Sequence, residues 1–193
     1  MSCQFLEEVV ALLPHGSSAF EFGSGRSTHA LRRAFAATAS IEDSGGWLSR
    51  TEQLEGSVAK RGIDYSQVIP LTRCWNRLRP IESFDVPAQK EALQHLMRAR
   101  LILVDSPPNP AKREHALFLA LHHSPAGAVI VLDDLEVAAT ARFTERLARQ
   151  NANLFRFWRV RIDHQLGVFL KVRPGRIRSR PTFREFAGAW LRA

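Results

Sequence analysis

Short, nearly uninterrupted apolar runs alternate along this chain with longer stretches of helical period, a rhythm that few folds accept. The runs are SAFEF (18–22), ATASIE (37–42), SQVIPL (66–71), ARLILVD (99–105), GAVIVLD (127–133), FRFWRVRI (155–162) and GVFLKV (167–172). Between the first five, apolar residues recur at helical spacing: Ala30, Leu31, Ala34 and Phe35; Trp47, Thr51, Leu54 and Val58; Ala92, Leu93, Leu96 and Met97; Ala116, Leu117, Ala120 and Leu121. Strands this apolar have no face for water, so they predict a parallel sheet covered by helices on both sides, the doubly wound α/β class. His164, Gln165 and Leu166 alone separate RFWRVRID (156–163) from GVFLKV. A link that short cannot hold a crossover helix, so it predicts a hairpin and a reversed, antiparallel last strand. In that hairpin Trp158, Val160 and Ile162 alternate with Arg159 and Arg161, the pattern of an edge strand with one wet face.

A chain of 193 residues suits one domain with its own core. The α/β unit is expected over residues 1–172, with an N-terminal helix over 2–13 that carries Phe5, Leu6, Val9, Leu12 and Leu13 on one face. No apolar run reaches the length of a membrane span. Glu7 and Glu8 interrupt the first apolar stretch, unlike a signal peptide, which leads to the expectation of a cytoplasmic protein. Cys3 and Cys74 have no metal-type or disulfide spacing.

The formal net charge of +8 is unevenly spread. Residues 1–155 carry 17 basic and 17 acidic side chains, residues 156–193 ten basic and two acidic. A neutral body with a basic end fits a phosphate-binding appendage, so nucleic acid is a candidate partner through residues 173–193. There RPGRIRSR (173–180) reads as a basic linker. Thr182 and Glu185 then have capping-box spacing, and Phe183, Phe186, Ala187, Trp190 and Leu191 form one stripe. That short helix would pack on its own sheet or on a second copy in a homodimer, or dock on a membrane surface or nucleic acid.

The sharpest motif is EFGSGRST (21–28), directly after the first strand and opening the first crossover helix. Glycines there let backbone approach a ligand, and the helix N-terminus offers free amides and a positive dipole end. Glu42, at the end of the second strand, is placed to accept both hydroxyl hydrogens of an adenosine ribose. Two features depart from the dinucleotide fingerprint: Thr28 replaces its third glycine, and the acidic Glu21 lies two residues before Gly23. A pyrophosphate would be repelled by Glu21, whereas an ammonium and a sulfonium would be attracted, which favours S-adenosylmethionine.

With these residues the chain resembles the class I S-adenosylmethionine-dependent methyltransferases. EFGSGRST stands as the first motif, SIED followed by WL (40–48) as the second, LILVDSPP as the fourth and AGAVIVLDDL (126–135) as the fifth. Within the class it looks most similar to small-molecule O-methyltransferase-type members. The resemblance implies a Rossmann-like, mostly parallel sheet ordered 3-2-1-4-5-7-6 with an antiparallel last strand. It puts Glu21, Gly23, Ser24, Gly25 and Ser27 around the amino-acid part of the cofactor, Glu42 on the ribose, and Asp43 and Trp47 near the adenosine.

The carboxyl ends of parallel strands form the ligand crevice in such sheets, so Asp105, Asp133 and Asp134 are expected to converge there. They would hold a divalent cation such as Mg, or else Asp105 touches the cofactor while the pair after the fifth run begins a loop. Asp105 and His164 are the candidate catalytic groups, His164 as an imidazole base at the hairpin. Arg113, after the proline turn, would hold an anionic substrate or sit on a helix surface. In VDSPPNP, Asn109 stands where enzymes that methylate base amino groups carry a stacking aromatic. The function expected is methyl transfer to an oxygen or nitrogen of a small-molecule acceptor. The alternatives are a nucleic-acid or protein acceptor guided by the tail, and a cofactor-binding protein without catalysis. The segment 72–87 is expected to be a long loop over the site.

Overall fold

The structure, a computed structural model, describes residues 3–54, 63–76, 79–109, 113–162 and 164–178. The expected C-terminal helix with its Thr182 cap, the position of Val58 and that of Asp163 lie outside the described residues. Within them the chain runs α1 (Cys3–Ala11), β1 (Ser18–Phe22), α2 (Arg26–Ala34), β2 (Ala37–Glu42), α3 (Gly45–Leu54), β3 (Ile63–Val68), β4 (Leu71–Asn76) and β5 (Arg79–Phe84). A 3-10 turn (Val86–Ala88) leads to α4 (Lys90–Arg98), β6 (Leu101–Val104), α5 (Arg113–His123), β7 (Val129–Leu132), α6 (Ala138–Gln150), β8 (Phe155–Arg161) and β9 (Gln165–Lys171).

Seven strands form one sheet in the order β3-β2-β1-β6-β7-β9-β8. The first five of that order pair in parallel, while β9 pairs antiparallel with both β7 and β8. Counted within this sheet, the order is the expected 3-2-1-4-5-7-6. The segment read as a loop is instead an antiparallel pair, β4 with β5, in a sheet of its own. Pro70 lacks the N–H a ladder needs, and it ends the run SQVIPL, so the strand there is β3, displaced toward the polar residues before it.

Alternation along buried strands divides the core in two. On β6, Ile102 and Val104 join Phe20, Phe22, Leu117 and Phe169 on the face covered by α4, α5 and α6. Leu101 and Leu103 join Phe5, Leu6, Leu31 and Phe35 on the face covered by α1 and α2. Lys171, buried on β9, donates from Nζ to the carbonyls of Leu121 at 2.9 Å and Ser124 at 2.6 Å, where α5 ends. A cation at this position satisfies carbonyls that the helix leaves unpaired and opposes its negative dipole end.

Phe169 is fully buried, 6.1 Å from the Phe155 ring and 4.7 Å from that of Phe157. Phe169→Ala should cost about 3–5 kcal/mol of unfolding free energy in urea titrations, because the hairpin holds it where little can collapse into the void.

Candidate functional site

Helices α2 and α5, which follow β1 and the adjacent β6, lie on opposite faces of the sheet, so a crevice opens above the carboxyl ends of these strands. A cavity of about 500 Å³ occupies it. One wall is Glu21, Gly23, Ser24, Ser27, Glu42, Asp43, Ser44 and Trp47; the other is Asp105, Ser106, Pro108 and Arg113. The structure thus brings together Glu21, Gly23, Ser24, Ser27, Glu42, Asp43, Trp47 and Asp105.

The turn between β1 and α2 is tied at both ends. Gly23 donates its N–H to the carbonyl of Ile41 at 2.8 Å and has φ of +106°, a region that disfavours side chains. A Cβ on it would also lie 2.9 Å from the Cβ of Ser106, so the turn can approach the Ser106-Pro107 segment only as glycine. Gly25 differs: a Cβ there would meet nothing within 4 Å.

Glu21 is almost wholly buried and accepts bonds from the hydroxyls of Ser27, Thr28 (2.6 Å) and Ser40 (3.3 Å). Thr28 also accepts the Gly25 N–H at 2.8 Å, so the residue in place of the third glycine joins the turn to this carboxylate. Burial pushes the Glu21 carboxyl up to about 7 against the lowering pull of the Ser27 and Thr28 hydroxyls, and the nearby Asp105 charge adds to the rise.

Glu42 gathers the two loops beside it. One oxygen accepts the N–H and hydroxyl of Ser24 at 2.8 and 2.9 Å; the other accepts the N–H groups of Asp43 at 2.9 Å and Ser44 at 3.4 Å. Burial, then the Asp43 carboxyl, pushes Glu42 up to about 7. Trp47 donates its indole N–H to the Ser24 carbonyl at 2.6 Å while leaving 48% of its surface exposed beside the cavity.

The far wall corrects the reading of Asp105, Asp133 and Asp134 as a cation site. Arg113 is buried, and its guanidinium reaches Asp105 at 3.1 Å and Asp134 at 2.9 Å while its Nε donates to the Pro107 carbonyl at 3.0 Å. A fixed positive charge therefore stands between the two carboxylates where a metal ion would have to sit. Asp133 is buried outside the cavity lining and accepts the N–H of Asp134 at 2.9 Å, closing a turn in which Asp134 has φ of +61°. Among the described residues no group of three His, Cys, Asp or Glu side chains is set to hold a metal.

Burial pushes Asp105 up to about 6, with Arg113 pulling it down and Asp133 and Asp134 pushing it further up. His164 is exposed at the hairpin tip, outside the cavity lining, and β6 and β8 are three strand spacings apart, about 14 Å. Ser106 was not singled out from the sequence, yet it lines the cavity with a buried, unpartnered hydroxyl; only its place after the fourth run could have signalled it.

The course of the chain is similar to that of three solved structures. A putative rRNA methylase from Clostridium thermocellum superposes with a TM-score of 0.61 at 12% identity, over 89% of this chain and 96% of that one. An rRNA methylase from Streptococcus thermophilus gives 0.58 at 15% identity, over 88% and 95%. A methyltransferase-like protein from Silicibacter pomeroyi gives 0.55 at 12% identity, over 98% and 93%. Likeness at this identity establishes the shared Rossmann-like fold. No family model and no curated protein sequence matches the chain.

Glu21 and Glu42 titrate near 7 when folded and near 4.5 when unfolded, so between those values the folded chain holds more protons. Their contribution to stability is complete below pH 4.5 and is lost as pH rises to about 7; Asp105, raised to about 6, acts in the same direction. Burial holds the imidazoles of His95, His115, His122 and His123 below their ordinary value, and these act the other way as pH rises toward 6.5, so the carboxyl contribution is read by difference: between about pH 5 and about pH 8 the urea midpoint should follow a less downward course in Glu21→Gln than in the native chain. A pH course of the midpoint in Glu21→Gln no different from that of the native chain would contradict the assignment.

Proposed function

We propose that this chain is an S-adenosylmethionine-dependent methyltransferase. The observation that carries the reading is the pair of buried carboxylates, Glu21 and Glu42, at the ends of adjacent parallel strands around one glycine turn. Carboxylates whose charge is disfavoured by burial gain most from a cationic partner and would repel a pyrophosphate. The donor set therefore suits a nucleoside that carries an ammonium and a sulfonium.

Glu21 and Ser27, with the backbone at Gly23 and Ser24 and the open approach past Gly25, would hold the amino-acid part. Glu42 would accept the ribose hydroxyls. All four bonds it now accepts come from Ser24, Asp43 and Ser44, and the rotatable Ser24 hydroxyl is the donor best able to give up its place. Asp43 and Trp47 would flank the adenosine. When bound, the cofactor supplies a methyl group on a positively charged sulfur.

The work left to the chain is to orient a nucleophile and receive its proton. Asp105 faces the cavity from the far wall with its carboxyl raised to about 6. It would accept a hydrogen bond from an acceptor O–H or N–H, while Arg113 holds it in place. Positioning supplies most of the rate enhancement in a direct transfer of this kind, so a stronger base is not required. The acceptor would be an oxygen or nitrogen on a small molecule or a polynucleotide. Two of the structural neighbours are named as rRNA methylases, which supports the polynucleotide.

Calorimetry with S-adenosylhomocysteine tests the reading. The native chain should bind it, and Glu42→Ala should weaken binding by about tenfold or more, the loss expected for hydrogen bonds to a charged group. Absence of binding by the native chain would overturn the proposal.

A further inference from the structure

Strand β8 is the outer strand of the seven-stranded sheet, and it is strongly basic. Residues 156–178 hold seven basic side chains against a single acid, Asp163. Lys171 is spent on the end of α5, and Arg159 is bonded to Glu145 at 2.8 Å and Gln165 at 2.6 Å. Arg156, Arg161, Arg173, Arg176 and Arg178 are exposed, and among the described residues no salt bridge engages them. Trp158, midway along the strand, leaves 48% of its surface in water.

The placement of these groups is ordered. After β9 the chain returns beside the start of β8, with the Val172 N–H donating to Leu154 at 2.8 Å and the Arg178 N–H to Asn151 at 2.6 Å. Arg173, Arg176 and Arg178 therefore gather near Arg156 at one end of the edge, and Arg161 marks the other. From Arg156 to Arg161 the strand spans about 17 Å, the rise of about five stacked nucleotides; Arg156 and Trp158 share one face of the strand and Arg161 projects from the other, so a polynucleotide lying along the open edge has cations on both sides. Since β8 runs in the same direction as β7, its Arg161 end opens on the side of the sheet that carries the cavity.

We propose that the β8 edge binds single-stranded RNA, with these arginines on its phosphates and a base stacked on Trp158. Arginine forks match phosphate geometry, and an exposed indole among cations is the usual platform for an unpaired base. An acidic protein partner would match the charge but would leave the indole without a flat partner. The further step, in which this RNA is the methyl acceptor, rests on the methyltransferase reading; the binding itself does not.

Fluorescence anisotropy with a labelled, mixed-sequence single-stranded oligoribonucleotide of about 20 nucleotides tests it. The native chain should bind with an affinity that falls as salt rises. Combined Arg156→Glu, Arg161→Glu and Arg173→Glu should weaken binding at least tenfold and reduce the logarithmic salt slope by about two, roughly 0.7 per lost phosphate contact. Trp158→Ala should weaken it about tenfold, with Trp158→Phe restoring most of the loss. Arg33→Glu and Arg98→Glu, on exposed positions of α2 and α4, should leave it near native. Binding of S-adenosylhomocysteine should be unchanged in every β8 variant. No RNA binding by the native chain, or an unaltered affinity and salt slope in the triple variant, would overturn the proposal. RNA binding as described in a chain that fails to bind S-adenosylhomocysteine would overturn the methyltransferase reading alone.

Discussion

The cavity depends on one carboxylate held almost out of water at the end of β1. Glu21 receives hydroxyl bonds from Ser27 and Thr28 on α2 and from Ser40 on β2, so three elements meet on its two oxygens. Thr28 extends the set to the Gly25 N–H, which fixes the curve of the turn. A buried charge is costly to a fold unless it is compensated. Here hydroxyls compensate it incompletely, and burial leaves its carboxyl up at about 7.

The second wall works by the opposite sign. Arg113 is buried between Asp105 and Asp134 and is locked to the Pro107 carbonyl, so the proline segment, the end of β6 and the loop after β7 share one guanidinium. The cavity therefore has one side of carboxylates built from β1 and β2, and another on which a single guanidinium offsets part of the charge of Asp105 and Asp134. Gly23 sets how closely the two walls approach, since any side chain on it would meet Ser106.

Much of this was legible in the residues, for identifiable reasons. SAFEF and ATASIE match β1 and β2 at both ends because each is buried on two faces and bounded by glycine or polar turns. The glycine turn and Glu42 could be placed because their spacing is set by strand and loop lengths rather than by packing. β3 was misplaced because it is an edge strand rich in polar residues, IDYSQV, and an apolar-run criterion passes over it. The role of Arg113 was hidden for another reason. Three acids at strand ends look like a cation site until the fold shows which cation the chain itself supplies, and that pairing crosses from α5 to two separate loops. Thr28 read only as a missing glycine; its hydroxyl bonds appear once Glu21 and Gly25 are placed around it.

Helix α5 links two of these features. Its first residue is Arg113 at the cavity, and its last carbonyls are gripped by Lys171 from the reversed strand. An eleven-residue helix is about 16 Å of stiff backbone, so it acts as a strut between the cavity wall and the hairpin at the far end of the sheet. The antiparallel insertion of β9 is thus more than a topological signature: it anchors the back of the lever whose front end carries the ion cluster. Loosening that rear anchor would be felt at Arg113 as a change of tilt, without any substitution near the cavity.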